Sequence, residues 1–262
     1  MPHLNYIVAG DTQGFDWSAV AADATQLHAR LPCPDLDGDG MVQATEESQC
    51  GLAGQSMLGL YPWKKLGTSP LLDGSRNCLW YAVSGGHKSH NPTVGINGDG
   101  NGSFTIVDSN FRTLVSGVVA VIIAPNSPLS TQARSGGDIT NPCSVAGGNA
   151  SLVANEFLDR AVNPQSGVAV DHALLASSGG SESIFMAFDQ REILVDSMND
   201  SIAWITADEY AAAAAAHAAQ LMKRIWSPAI QAYFDSNGIR RGRVCRSPGC
   251  SARRPSPIYR NT

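Results

Sequence analysis

The apolar positions suggest one early helix and then a series of short strands. In "DWSAVAADATQLHARL" (16–31), Val20, Ala24, Leu27 and Leu31 recur at helical intervals, and Pro32 and Pro34 end the pattern. "CLWYAVS" (78–84) is aromatic, β-favouring and followed by glycines, so it predicts a strand. "SFTIVDS" (103–109) predicts another, with Phe104 and Ile106 on one face and Thr105 and Val107 on the other. "TLVSGVVAVIIAP" (113–125) is almost wholly apolar and predicts a central strand buried on both faces. The polar, glycine-rich stretch 126–150 reads as a long loop, "SLVANEFLDRAV" (151–162) as a short helix, and "SIFMAFD" (183–189) and "SIAWIT" (201–206) as strands. Thr206 and Glu209 then form a capping box ahead of an alanine-rich run. A long helix is expected from Ala207, interrupted at Ser227-Pro228 and closed by Gly238.

Composition adds a contrast between body and tail. Of 262 residues, 43% are hydrophobic, which supports a real core and excludes wholesale disorder. Only 16% are charged and 26 are glycine, as strands and polar loops require. Residues 1–239 carry 11 basic and 23 acidic side chains, a net of −12, so the body would repel phosphates and no nucleic-acid partner is expected. Residues 240–262 carry seven Arg and no acid, and read as a basic, disordered tail. The expected organisation is a globular domain over 1–205, the alanine-rich helix over 206–238 and the tail over 239–262.

Six cysteines (Cys33, Cys50, Cys78, Cys143, Cys245 and Cys250) without a CxxC suit disulfides and an oxidising compartment better than zinc. No export leader or apolar span opens the sequence, so the chain reads as a fragment lacking its export segment.

The chemistry concentrates in "CPDLDGDGMVQATEESQC" (33–50). It holds five acids, and no Lys or Arg occurs from Leu31 to Trp63. Counted from Asp35, oxygen-bearing positions 1, 3, 5, 7, 9 and 12 of a calcium loop are Asp35, Asp37, Asp39, Met41 (by its backbone carbonyl), Gln43 (through a water) and Glu46. Gly40 takes position 6, where the chain must turn sharply, and Val42 the apolar position 8. Crowded carboxylates repel one another, and a hard dication reverses that sign. Calcium is therefore the expected ion; magnesium suits a six- or seven-oxygen loop less well. The prolines keep a helix from entering the loop. Cys33 and Cys50 flank it and are expected to bond, which stabilises by roughly 3 kcal/mol in the chain-entropy model. Such a loop acts as a staple and not as a switch. A weaker second window runs Asn97, Asp99, Asn101, Gly102, Ser103, Thr105 and Asp108, and a hairpin turn explains its "NGDGNG" equally well.

Several stretches in order, "RLPCPDLDGDG", "GLYPWKKLG", "DGSRNCLWYAVSG", "SGVVAVIIAP" and "NDSIAWITADEY", resemble the globular part of large bacterial prepilin-like proteins. These are relatives of type IV pilins and of the pseudopilins of type II secretion. The resemblance spans roughly residues 20–238. Asp73, Asn77, Leu79 and Tyr81 also match the pseudopilin signature D-x-W-G-N-x-L-x-Y, although Ser75 and Arg76 replace its Trp and Gly. The resemblance implies an α+β fold, a truncated helical spine packed on an antiparallel sheet. It also implies filament assembly with other pilin or pseudopilin subunits through a long apolar N-terminal helix that this sequence does not contain. The implied setting is the periplasm or a cell-surface filament, with membrane attachment only through that helix.

Catalytic groupings are sparse. His87 and His90 of "HKSH" read as exposed loop histidines, and His217 as a surface or packing residue of the alanine helix. His172 beside Asp171, near the serines of "ASSGGSES", invites a hydrolase reading, but no G-x-S-x-G elbow supports it. No phosphate loop or dinucleotide fingerprint occurs. The expected function is a non-enzymatic pilus or pseudopilus subunit held by calcium and disulfides. The alternative is a secreted, calcium-stabilised binding or adhesin module.

Overall fold

The computed structural model describes residues 30–89, 100–130, 132–134, 143–145, 148–164, 166–175, 183–187 and 198–221. The chain divides into two units, Met1–His217 and Ala218–Thr262. The fold and the sites below belong to the first.

In chain order the elements are α1 (Ala44–Ser48), β1 (Met57–Leu60), β2 (Trp80–Val83), β3 (Phe104–Val107), β4 (Thr113–Ala124), α2 (Ala150–Phe157), β5 (Arg160–Val162), β6 (Ala169–Asp171), β7 (Ser183–Met186), β8 (Ser201–Thr206) and α3 (Ala207–Leu221). The main sheet runs β1-β2-β4-β3-β7, with β8 also paired to β4; β5 and β6 form a separate hairpin. Strand β4 organises the sheet. Its C-terminal half lies between β2 and β8, with Ile123 opposite both Trp80 and Ile202. Its N-terminal half pairs with β3, and register shifts in both the β3 and β8 ladders bend the ribbon. The result is a curled half-barrel. All pairings are antiparallel except β3 with β7.

Alternation along the strands fills two large cores and a smaller one of Val107, Val170, Met186 and Met198. Leu58, Leu60, Trp80, Phe104, Ile106, Val121 and Ile123 share one, covered by Ala150, Val153 and Ala154 of α2. Tyr81, Val83, Val119 and Ala120 share the other with Leu31, Leu66, Ile205 and Tyr210. Helix α2 starts where the Asn149 side chain accepts the N–H of Ser151 at 2.9 Å. Helix α3 starts at the expected capping box: Glu209 accepts from the backbone and hydroxyl of Thr206, and the Glu209 N–H donates back to Thr206 Oγ1.

The expected strands at 78–84, 103–109, 113–125, 183–189 and 201–206 are present, and Phe104 and Ile106 face one core as their spacing requires. The pilin-like α+β architecture is not. The described chain is mostly sheet with few, short helices. Among the described residues no spine packs on it, and the expected long C-terminal helix over 206–238 is described only as the 15 residues of α3. The interrupted continuation at Pro228 and the basic tail lie outside the described residues, as does most of the expected helix over 16–31. Leu31, the last residue of that pattern, makes a β-bridge with Lys88. The physical reason is that Ala150, Val153 and Ala154 of α2 and Ala207 and Tyr210 of α3, with residues of the loops, cover the described sheet. Among the described residues, no helix is long and apolar enough to cross a membrane.

Candidate metal centre

The acidic loop is anchored before any ion is considered. Cys33 and Cys50 are disulfide-bonded, with Cα atoms 5.9 Å apart. Between them Asp35 pairs with Leu60 at the end of β1, through N–H to O contacts of 3.0 and 2.7 Å. The Gly40 carbonyl accepts from Lys64 and Lys65. Lys88, wholly buried, points its ammonium at the carbonyls of Cys50, Gly51 and Leu52. Burial pulls its pKa down to about 8. Gly38 and Gly40 have φ of 83° and 86°. A Cβ at Gly38 would lie 2.0 Å from the Cys143 carbonyl oxygen, and one at Gly40 would lie 2.2 Å from the Trp63 indole. Only glycine satisfies both the dihedral and the contact. The second disulfide, Cys78–Cys143, thus backs the loop directly. Cys245 and Cys250 lie outside the described residues.

Within this frame Asp35, Asp37 and Asp39 each bring a carboxylate oxygen to within 4.8 Å of the others. Asp35 is fully buried. Its Oδ1 accepts from Asp37 at 3.1 Å and Gly38 at 2.8 Å, and its Oδ2 from Gly40 at 2.7 Å. Burial pushes its pKa up to about 7 against the pull of the Gly38 and Gly40 N–H groups, and the charges of Glu46 and Asp37 push the same way. The loop therefore supplies three converging oxygens and negative charge that its backbone donors do not offset, a donor set that fits a hard divalent cation.

The other expected ligands sit differently. Glu46 is buried and turned to the backbone. Its Oε1 accepts from Leu36 at 2.8 Å and Asp37 at 3.3 Å, and its Oε2 from Gln43 at 2.9 Å. Glu46 thereby caps the start of α1. Gln43 donates its amide to Asp39 Oδ2 at 3.1 Å. Met41 is exposed, and its N–H donates to Asp39 Oδ1. In the second window, Asn97 and Asp99 lie outside the described residues, Asn101 is exposed, and Asp108 accepts from Asn110 and Arg112 to close the β3–β4 turn. Asp35, Asp37 and Asp39 are the grouping of metal-binding side chains found among the described residues.

A second buried polar centre lies beneath the sheet and was not foreseen. His172 and Asp200 are wholly buried, with Nδ1 and Oδ2 2.8 Å apart. The Met186 N–H donates to His172 Nε2 at 3.0 Å, so the ring hydrogen sits on Nδ1 and faces Asp200. With both nitrogens occupied, His172 offers no lone pair to a serine. Asp159 accepts from the Gln132 amide and from the Asn199 and Asp200 N–H groups, while its own N–H donates to Asp200. Burial, then the Asp200 charge, pushes the Asp159 pKa up to about 6. Nearby, Arg134 gathers the carbonyls of Pro125, Asn126 and Phe157 and lies over the Phe157 ring. An unpatterned loop gave no sign of this role.

Other residues singled out from the sequence take structural positions. Asp73 accepts from Ser75, Asn77 and Asn126, and the Asn77 amide donates to the Asn126 carbonyl at 2.7 Å. The signature residues Asp73 and Asn77 thus pin the approach to β2 against the end of β4. His87 is buried, contrary to the exposed reading. It stands edge-on to Tyr210 at 5.8 Å, and burial lowers its pKa. The intervening strand ends bring it under the β8–α3 junction, which its loop-like sequence context hides. His90 and the His217 side chain lie outside the described residues.

Comparison with known proteins gives no match to a family model, a curated protein or a solved structure. The resemblance to prepilin-like proteins therefore rests on the quoted motifs alone.

Proposed function

We propose that the chain is a non-catalytic, extracytoplasmic binding module whose first loop is set by calcium. The carrying observation is the convergence of Asp35, Asp37 and Asp39 oxygens within 4.8 Å inside a loop tied by Cys33–Cys50. Calcium would neutralise these carboxylates, while Glu46, whose oxygens accept backbone N–H groups, would support the loop and not the ion. The disulfide, the Leu60 bridge and the Lys88 contacts hold both flanks, which favours a rigid staple over a sensor that must open. Two disulfides accord with an oxidising compartment, periplasmic or extracellular. The pilus or pseudopilus reading stands second. It keeps the Asp73–Asn77 signature but has no helical spine among the described residues.

Calcium binding is tested by thermal melting. Millimolar calcium should raise Tm, by the equivalent of about 2.7 kcal/mol when the ion is at a hundred times its Kd. Asp37→Ala should remove most of the rise. A melting curve that calcium leaves unmoved refutes the metal reading.

A further inference from the structure

The chain holds four Asn-x-Ser/Thr triplets: Asn91-Pro92-Thr93, Asn101-Gly102-Ser103, Asn149-Ala150-Ser151 and Asn199-Asp200-Ser201. This triplet is the acceptor of N-linked glycosylation unless its middle residue is proline, which removes the first. It carries weight only on the surface of an extracytoplasmic chain, and the fold separates the remaining three on that criterion. Asn149 is half-buried, and its side chain accepts the Ser151 N–H at 2.9 Å to start α2. Asn199 is half-buried too; its amide donates to the Ser127 carbonyl at 2.7 Å, and its Oδ1 is buried. Both side chains are spent within the fold. Asn101 is exposed and stands just ahead of β3. The Gly102 N–H donates to the Gly117 carbonyl at 3.2 Å, and a Cβ at Gly102 would lie 1.9 Å from the Val118 carbonyl oxygen. The backbone is therefore pressed against β4, and glycine is required in the middle of the triplet. The Asn101 side chain rests over Gly117, where an added Cβ would lie 3.5 Å from its Oδ1. A bulky group on its amide displaces no hydrogen bond among the described residues.

We propose that Asn101 is an N-glycosylation site, modified by an oligosaccharide delivered on a polyprenyl diphosphate carrier. Asn101 Nδ2 forms a bond to C1 of the reducing-end sugar. The C1–O bond to the diphosphate breaks, the carrier diphosphate leaves, and the amide proton passes to a base of the transferase. In the finished fold Ser103 Oγ, the hydroxyl of the triplet, is bonded to Ser56 at 2.8 Å and Ser84 at 3.0 Å, so transfer precedes closure of that serine cluster. The proposal rests on the extracytoplasmic part of the reading above, which the two disulfides support, and not on calcium.

The test is glycopeptide mass spectrometry of the protein purified from the cells that make it. The Asn101 peptide should carry an oligosaccharide, and the Asn149 and Asn199 peptides should be bare. Ser103→Ala should abolish the added mass and Ser103→Thr should keep it, as enzymatic transfer to the triplet requires and chemical damage to an Asn-Gly pair does not. Asn101→Gln should remove the sugar and leave the Tm of the deglycosylated protein unchanged, whereas Asn149→Ala, which loses a helix cap, should lower it by roughly 2–4 °C. A bare Asn101, or sugar equally on Asn149 or Asn199, overturns the proposal. If Asn101 is bare while Cys33–Cys50 and Cys78–Cys143 are found linked in the same preparation, the oxidising compartment stands and only the modification is lost.

Discussion

Two carboxylate clusters in this molecule, one wholly buried and one buried only at Asp35, meet the same electrostatic problem in different ways. Around Asp159 and Asp200 the chain supplies most of the answer itself: the His172 ring hydrogen, the Gln132 amide, three backbone N–H groups and the nearby Arg134, with Asp200 Oδ1 alone left without a hydrogen-bond partner among the described residues. Around Asp35, Asp37 and Asp39 it supplies backbone N–H groups, and no salt bridge to them is formed among the described residues; Lys88 is turned to the carbonyls past Cys50. A carboxylate cluster with internal partners behaves as core. One whose oxygens converge with only amides around them invites an ion from solvent.

The largest expected effect tests the internally partnered cluster. Asp200→Ala strands the His172 Nδ1–H and the Asp159 N–H in the core, and should cost about 3–5 kcal/mol in urea unfolding. The increment from calcium should be unchanged in that variant, since the two centres share no partner. Loss of that increment along with the stability would show that the clusters are coupled.

A smaller effect is a pH slope. Asp159 in the fold holds its proton up to about pH 6, against an ordinary value of 3.8 in the unfolded chain. Between these values the folded state binds the extra proton, so this group favours the fold in acid, and its contribution falls as pH rises through the window. The whole contribution is about 3 kcal/mol at most. Asp159→Asn should flatten that part of the stability–pH curve. An unchanged slope would remove Asp159 as its source.

The smallest expected effect concerns the acidic loop's flank. Lys88→Met leaves the Cys50, Gly51 and Leu52 carbonyls without their shared donor and should cost about 1–3 kcal/mol. Calcium should still stabilise the variant, because Lys88 touches none of the three aspartates. If the calcium response disappears, the lysine is part of the metal site's support, and the line between the two clusters must be redrawn.

Much of this was legible along the chain because it depends on near neighbours. The strand alternation of Phe104–Val107, the apolar run of β4 and the Thr206–Glu209 box follow from spacings of two to four residues. The D-x-D-x-D-G register drew together the three aspartates that the fold groups, and the Cys33–Cys50 bond followed from their flanking places. Strand β1 and the β5–β6 hairpin were missed, because Gly59 breaks the apolar run of β1 and β5 and β6 are three residues each, too few to show a period. The helix-on-sheet architecture came with the prepilin resemblance and was misjudged because short matching motifs fix local turns and not what will cover the sheet.

By itself, then, the sequence determined five of the eight described strands, the acidic loop and its flanking bond, all of which are local patterns of charge, size and spacing. Only the tertiary structure decided that Cys78 meets Cys143, that His172 closes on Asp200, and that His87 is buried against Tyr210. Those partners are brought together by the curl of the sheet around β4. No local rule encodes the distance between residues separated by many turns of chain, because it is set by how whole strands pair and bend.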